Sequence, residues 1–576
     1  MMNVAPGNEA SGNVAPAALL ARAVALHQQG ALDAAEPLYR RVLDDAPRHA
    51  DALHLLGVLA AQQGRHAEAI ALIAAAIAEV PGEASFHANL GRACKAAGQQ
   101  GNALAAFDQA IALGSSDPGV FSDRGSILLE LGRAPAALES FERASALHRE
   151  DAGACNNRGN ALRALDRNAE ALDSFDRAIA LRPDYADAFC NRGNILQELD
   201  RFAEALASYD QALVLQRDHV DALANRGAVL RALGRYSGAL DDYDRALRLR
   251  PDHIAARFGR SLCLLQMGDL ARGWAAYEWR WRTARFAARA GRFAQAPWLG
   301  TGALAGKTIL LHAEQGFGDT LQFCRYVAPV AARGARVVLE VARPLARLMA
   351  TLDDAAEVIA EGDKLPAFDL HCPLMSLPLA FGTTLETIPP PARLVPVPDR
   401  VAGWRLRLAG APGVRVGLVW AGSANKTYPE GRAIDRRRSI ILDHYAPLAA
   451  VAGVSFMSVQ KGETARQTAA PPAGMALLDV TAELDDFADT AALIAALDLV
   501  ISVDTAVAHL AGSLGKPVWI LTPFDADWRW LAGRSDSPWY PTARLFRQPA
   551  IGDWASVIAD VVAALRGFVG AGVASV

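Results

Sequence analysis

Three short stretches of this chain carry residue types at spacings that could do chemistry. The first is Gly316-Phe317-Gly318-Asp319, which follows an apolar run over 307–312 and precedes a helical pattern over 320–332. Glycines there permit close backbone approach and unusual dihedrals, and a carboxylate on such a turn can take the proton of a hydroxyl, typically worth ~100 to 10,000-fold in rate. Asp319 is therefore a candidate general base, with helix capping as the alternative. The second stretch is Val503-Asp504-Thr505-Ala506-Val507-Ala508-His509-Leu510. Thr505 and Ala506 begin a helix whose free amides and dipole favour a pyrophosphate, and His509, one turn on, could reach phosphate or ribose or simply belong to the core. The third is the turn Ala421-Gly422-Ser423, with Lys426 three residues beyond it.

Other polar and aromatic clusters are weaker. Asp525-Ala526-Asp527 has the letters of a metal-binding DxD pair but is not placed at a strand end, and no metal is expected. Arg436-Arg437-Arg438 could hold phosphate, although a solvated loop is the preferred reading. Trp528, Trp530, Trp539 and Tyr540 are read as packing rather than as a stacking platform for a base. The six cysteines, Cys94, Cys155, Cys190, Cys263, Cys324 and Cys372, show no CxxC pair or zinc spacing and read as buried thiols.

The elements that position these motifs alternate between strand and helix. Short apolar runs over 307–312, 336–341, 357–360 and 368–371 form one group, and runs over 414–420, 454–460, 497–503 and 517–521 form another, with a Pro-rich connection over 388–398 between them. Strands alternating with helices indicate parallel sheets. Two such lobes joined by a linker make the GT-B layout, in which a nucleotide sits between the lobes at the carboxyl ends of the strands.

The first half has a different grammar. Gly57, Gly91, Gly125, Gly159, Gly193 and Gly227 are 34 residues apart, and one further step each way lands on Ala23 and Ser261, giving eight units. Twelve residues after each anchor stand Ala35, Ala69, Ala103, Ala137, Ala171, Ala205, Ala239 and Gly273, and sixteen after it Tyr39, Ile73, Phe107, Phe141, Phe175, Tyr209, Tyr243 and Tyr277. These residues match the tetratricopeptide repeat, a pair of helices per unit. The small residues let the helices approach, and the aromatic is expected to fill the gap to the next unit. Trp274, Trp279 and Trp281 read as a cap on the last unit. The expected organisation is a disordered tail over 1–16, a tetratricopeptide superhelix over 17–285, a linker over 286–305, a Rossmann-like lobe over 306–398 and a second lobe over 399–576.

Two residues before successive anchors stand Asn89, Asp123, Asn157, Asn191 and Asn225. The column resembles the asparagine ladder of the O-linked N-acetylglucosamine transferases, where carboxamides bind the backbone of an extended peptide, since an amide both donates and accepts. A solvated polar position is the alternative. Arg158, Arg192 and Arg226, each following a ladder residue, read as solvated or paired within the array. The formal charge of -4 with 52% apolar and 21% charged residues gives no general pull toward nucleic acid. No apolar run approaches the ~20 residues of a membrane span, and the amino terminus lacks a basic region followed by an apolar core, so a cytoplasmic protein is expected.

The Gly316–Asp319 turn resembles the glycine-x-glycine-aspartate turn of the heptosyltransferase-like family 9 glycosyltransferases, and the stretch from Val503 to Leu510 resembles that family's aspartate-threonine-x-x-x-histidine segment. The resemblance implies an inverting, metal-independent transfer of sugar from a nucleotide-diphospho-sugar, a co-substrate rather than a cofactor. It places Asp319 as base toward the acceptor, and Gly316, Gly318, Gly422, Lys426, Asp504, Thr505, Ala506 and His509 around the donor, with Lys426 as the cation that meets charge on the leaving diphosphate. A protein or peptide acceptor would lie on the concave face of the repeats along Asn89, Asn157, Asn191 and Asn225. A lipid-linked or glycan acceptor would not depend on those asparagines. The competing reading is a repeat scaffold with a vestigial transferase fold.

Overall fold

Each 34-residue unit folds as two helices because its apolar positions recur at helical spacing and its turn ends in a residue that leaves the helix. The computed structural model describes residues 16–287, 289–422 and 429–573, and divides into two compact units, 1–195 and 196–576. Among the described residues the repeats supply sixteen helices, from Pro16–Gln28 to Leu270–Tyr277. Between the two helices of each repeat one residue takes the left-handed conformation. It is Gly30, Gly64, Gly98, Gly132, Gly234 or Gly268 in six repeats, and Asp166 or Asp200, with φ of 58° and 60°, in two.

In the first compact unit, a Cβ placed on Gly91 would lie 2.5 Å from the Phe107 ring, and the same holds for Gly125 with Phe141 at 2.7 Å and Gly159 with Phe175 at 2.6 Å. The aromatic therefore fills the space left by its own repeat's glycine, which corrects the expected placement toward the next repeat. The second compact unit uses the same device at Gly227 and Tyr243, where the tyrosine also reaches Gly259 of the following repeat. The arginines beside the asparagine column are paired within the array. Arg192 bonds Asp176 at 2.6 Å and Arg158 bonds Ser174 at 2.7 Å in the first compact unit, and Arg226 bridges Asp242 and Asp210 in the second.

The second compact unit continues into two parallel sheets. The four-stranded sheet has β1 (Thr308–His312), β2 (Arg336–Val341), β3 (Glu357–Ala360) and β4 (Leu370–Pro373) in the order β3-β2-β1-β4. The six-stranded sheet has β5 (Val414–Val419), β6 (Val454–Ser458), β7 (Leu477–Asp479), β8 (Leu499–Val503), β9 (Val518–Thr522) and β10 (Ala543–Arg547) in the order β10-β9-β8-β5-β6-β7. The pairings between these strands are parallel, with Ile309 opposite Val337 and Val500 opposite Val518, and Asp536 adds an isolated antiparallel bridge to Arg544 of β10. The central strands β8 and β9 are buried along their length, so they read as unbroken apolar runs. β7 and β10, absent from the sequence reading, are the two edges of the larger sheet, where short length and charged residues blunt the apolar signal. The single helix expected over 320–332 is instead Phe317–Phe323 and Val327–Ala331 with a 3-10 turn between them. Pro329, which cannot donate a helical hydrogen bond, lies in the second piece.

The stretch read as a linker is pinned rather than free. Phe293 packs against His312, Phe368 and His371, Arg292 pairs with Glu340, and the Trp298 amide donates to the His371 carbonyl at 2.7 Å. At the end of the repeats Trp274 packs edge-on against Trp528 and Trp539, its indole N–H donating to the Thr383 carbonyl. Trp279 instead lies under Arg257 and Arg282, and Trp281 packs on Phe286.

Asp200 holds its left-handed turn while its carboxylate takes Arg436 at 2.7 Å and Arg437 at 3.3 Å. Removing the side chain in two ways separates strain from pairing. Asp200→Gly loses the ion pairs but relieves the backbone, whereas Asp200→Ala loses the pairs and keeps the strain, so the alanine variant should unfold about 1 kcal/mol more easily than the glycine variant in chemical denaturation. Equal stability of the two would contradict the strain assigned to this turn.

Candidate functional site

The Gly316–Asp319 turn leaves the carboxyl end of β1 and becomes the first turn of the helix Phe317–Phe323. Asp319 caps that helix: its Oδ2 accepts the Gly316 amide at 2.7 Å. Its other oxygen is held by the Arg529 guanidinium, which comes from the far lobe, and Arg529 also donates to Asp527 at 2.7 Å and stacks on Trp528. Burial would lower the Arg529 pKa, but the Asp527 and Asp319 carboxylates outweigh it and raise it. Capping and ion pairing thus coexist at Asp319, and each carboxylate oxygen keeps a second lone pair for a hydroxyl.

The second motif lies against the first. The helix Ala506–Ser513 follows β8, and Thr505 at its start turns its hydroxyl to Ser502 at 2.9 Å instead of capping the helix. A Cβ built on Gly318 would sit 2.7 Å from His509 Cδ2, 3.3 Å from His509 Nε2 and 3.6 Å from the Ala506 Cα. Glycine is thus required at Gly318 by close approach. Ser513 Oγ donates to the Leu321 carbonyl, and Arg325 donates to the Trp539 carbonyl, so the lobes are joined on both sides of this contact.

His509 is buried, stacks on Trp530 with ring centres 5.2 Å apart, and shares a 3.0 Å hydrogen bond between Nδ1 and the Tyr540 hydroxyl. Burial, with the Arg529 charge second, lowers its pKa to about 3. Its imidazole is therefore neutral at neutral pH, with Nε2 3.9 Å from Asp504 Oδ1. The Asp504 side chain is 13% exposed. Burial, and then the negative charge of Asp527, push Asp504 up to about 6. Asp527 goes the other way, since Arg529 beside it outweighs the effect of burial. Environments that drive two carboxylates apart in this manner are typical of acid–base sites.

Gly422 follows β5 and donates its amide to Ser439 Oγ, and a Cβ there would meet Arg438 and Asp435 at 2.5 Å. Lys426 lies outside the described residues. The Arg436–Arg438 triplet is not a solvated loop. It ends the helix Pro429–Arg438, with Arg436 on Asp200, Arg437 on Asp200 and Asp525, and Arg438 on Asp435. Asp525 also meets Arg231, so both acids of the DxD letters face arginines. Arg529 is the site residue that sequence reasoning missed, and Asp527, named there only as half of a DxD pair, is its partner. An acid and a base two positions apart were the only signal, overshadowed by the tryptophans around them. Trp528, Trp530, Trp539 and Tyr540 are buried, as read.

The asparagine column is engaged along the array. In the first compact unit Asn89 bonds His54 at 2.8 Å and accepts from Arg92, Asn157 accepts from Asn156 at 3.4 Å, and Asn191 donates to Asn156 at 2.9 Å. Asn225, half-buried, belongs to the second compact unit. No helix among the described residues is long and apolar enough to cross a membrane.

Comparison with known proteins agrees with both halves. Tetratricopeptide repeat profiles match residues 9–50, 20–84, 56–118, 159–200, 186–219 and 220–253, and glycosyltransferase family 9 (heptosyltransferase) matches residues 448–521, a stretch that contains Asp504, Thr505 and His509. Protein FlbA of Caulobacter vibrioides is 31% identical over 333 residues, covering 53% of this chain and 54% of its own. The chain thus spans about half the length of that curated relative. Among solved structures, YrrB, described as a TPR protein with an unusual peptide-binding site, is 24% identical over 32% of this chain and 95% of its own, with a TM-score of 0.30. A thermophilic TPR protein of Thermus thermophilus is 26% identical over 32% of this chain and all of its own, with a TM-score of 0.29. The chain combines tetratricopeptide repeats with a carboxyl-terminal parallel α/β domain that has a family 9 glycosyltransferase stretch.

Proposed function

We propose that this protein is an inverting, metal-independent glycosyltransferase of GT-B layout that moves a sugar from a nucleotide-diphospho-sugar to an acceptor hydroxyl, on a protein recruited by the repeats. The observation that carries the proposal is the contact of Gly318 with His509, which joins a carboxylate-bearing turn from one lobe to a helix amino terminus from the other. Asp319, oriented by Gly316 and Arg529, takes the hydroxyl proton. The hydroxyl oxygen bonds the anomeric carbon as the bond to the diphosphate oxygen breaks on the opposite face, which inverts configuration. Charge gathering on the leaving diphosphate meets the first-turn amides at Ala506 and the Lys426 cation. Asp504 accepts a donor hydroxyl, and neutral His509 holds the floor of the site against Gly318.

A second reading has Asp504 as the base, favoured by its upward shift to about 6 while both Asp319 oxygens are already bonded. The test is nucleoside diphosphate release from a panel of nucleotide-sugars in excess EDTA, with peptides or oligosaccharides as acceptors. Release coupled to sugar on a peptide, and weakened by combined replacement of Asn157, Asn191 and Asn225, supports a protein acceptor. Transfer indifferent to those asparagines moves the acceptor to a glycan or lipid-linked sugar. No transfer to any acceptor leaves the scaffold reading.

A further inference from the structure

The two residues before the Gly316 turn are held from the end of the repeat array. Arg280, in the 3-10 helix Glu278–Arg282 after the last repeat helix, is fully buried, and Glu314, whose side chain is 1% exposed, faces it. Arg280 Nε and Nη2 donate to the two Glu314 oxygens at 2.8 and 3.0 Å, Nη2 also donates to Ser376 at 2.7 Å, and Nη1 to Glu278 at 2.6 Å. Arg289 donates to the Glu314 carbonyl at 2.8 Å, and Gln315 donates its side-chain amide to the Tyr277 hydroxyl at 3.1 Å. Both side chains and one carbonyl of the dipeptide Glu314-Gln315 are thereby fixed by residues 277–289, and the next residue is Gly316, whose amide holds Asp319.

A buried fork-to-fork pair is a costly way to gain stability, because desolvation offsets much of the attraction. Its distinctive property is direction, since the planar guanidinium fits a carboxylate in one geometry. We propose that Arg280 and Tyr277 are positioning residues for Asp319: the cap of the repeat array sets the angle at which the Gly316–Asp319 turn leaves β1, so the last repeat is part of the transferase site as well as the end of a recruiting array. The proposal rests on the transferase reading above for its effect on rate, while its structural content can be read without turnover.

The variants are Tyr277→Phe, which removes one hydroxyl and keeps the ring against Trp528, and Arg280→Lys, which keeps the charge and loses the fork. Misplacement of a reacting group by about 1 Å costs ~100-fold in rate, so Arg280→Lys should lower kcat by about that factor, and Tyr277→Phe by about ten-fold, with the donor KM within about two-fold. Hydrogen exchange on the full chain should show the Gly316 amide exchanging at least about ten-fold faster in both variants, with the β5, β8 and β9 amides unchanged. Parental kcat together with parental Gly316 exchange would overturn the proposal. So would faster exchange across β5, β8 and β9 in Tyr277→Phe, which marks a general structural role. If the parent chain turns over no nucleotide-sugar, the transferase reading fails, and the Gly316 exchange alone decides: faster in the variants supports positioning, unchanged removes it.

Discussion

Gly318→Ala is expected to lower turnover by about 100-fold or more and to destabilise the α/β part by about 1–3 kcal/mol. The added methyl would stand 2.7 Å from His509 Cδ2. The ring is not free to retreat, since it is stacked on Trp530 and bonded to Tyr540, and both partners are buried. The backbone of the turn must move instead, and Asp319 moves with it. Gly318→Ala with His509→Ala should recover part of the lost stability by making room, without recovering rate, because the helix amino terminus has lost its support. Denaturation curves and steady-state kinetics of the single and double variants measure both effects. Parental kinetics in Gly318→Ala would show that the two motifs do not work in contact.

Asp504→Asn is expected to give a protein that is more stable and inactive at neutral pH. The folded pKa of about 6 lies above the ordinary carboxylate value, so the group binds its proton more tightly in the folded state. Its contribution to stability is then fully present below the ordinary carboxylate pKa and is lost as pH rises through about 6. At about pH 7.5 the ionised, mostly buried Asp504 beside Asp527 destabilises the fold, and the neutral amide should relieve about 1–3 kcal/mol of that. Activity has the opposite dependence, since the ionised carboxylate accepts the donor hydroxyl in a charge-assisted bond, roughly twice as strong as the neutral bond that the protonated acid or an amide oxygen makes. The parent's kcat/KM should fall as pH drops through about 6, and Asp504→Asn should lose at least about 100-fold at about pH 7.5 together with that acidic limb. Asp319→Asn should lose rate and leave the limb in place. A limb unchanged in Asp504→Asn would assign it to another group.

The repeats were legible because one constraint recurs at a fixed period: a glycine whose missing side chain an aromatic sixteen residues later occupies. Self-similarity shows which residues pair, and only the structure shows that Phe107 fills its own repeat's gap. Central strands were legible for a related reason, since β8 and β9 are buried on both faces and must be apolar throughout. Edge strands β7 and β10 lack that constraint. The turn at Gly316 and the stretch from Val503 were legible as local patterns of glycine, carboxylate and helix start, whereas Lys426 of the third motif lies outside the described residues. Their long-range partners were not: Arg529 reaches Asp319 across 210 residues, and Arg280 reaches Glu314 across 34. No spacing encodes such pairs, because an arginine in a run of tryptophans reads as surface until the fold buries it. The Arg436–Arg438 triplet shows the same limit, with acceptors on Asp200 and Asp525, far away in sequence.

Calorimetric titration of the full chain with UDP, GDP and ADP in excess EDTA tests most directly whether the contact between the two lobes forms a donor site. Saturable binding of one of the three is expected, lost in an Asp504→Ala, Lys426→Ala double variant that keeps the parent's circular dichroism. No binding of any of the three, or equal binding by the double variant, would contradict a donor site at that contact.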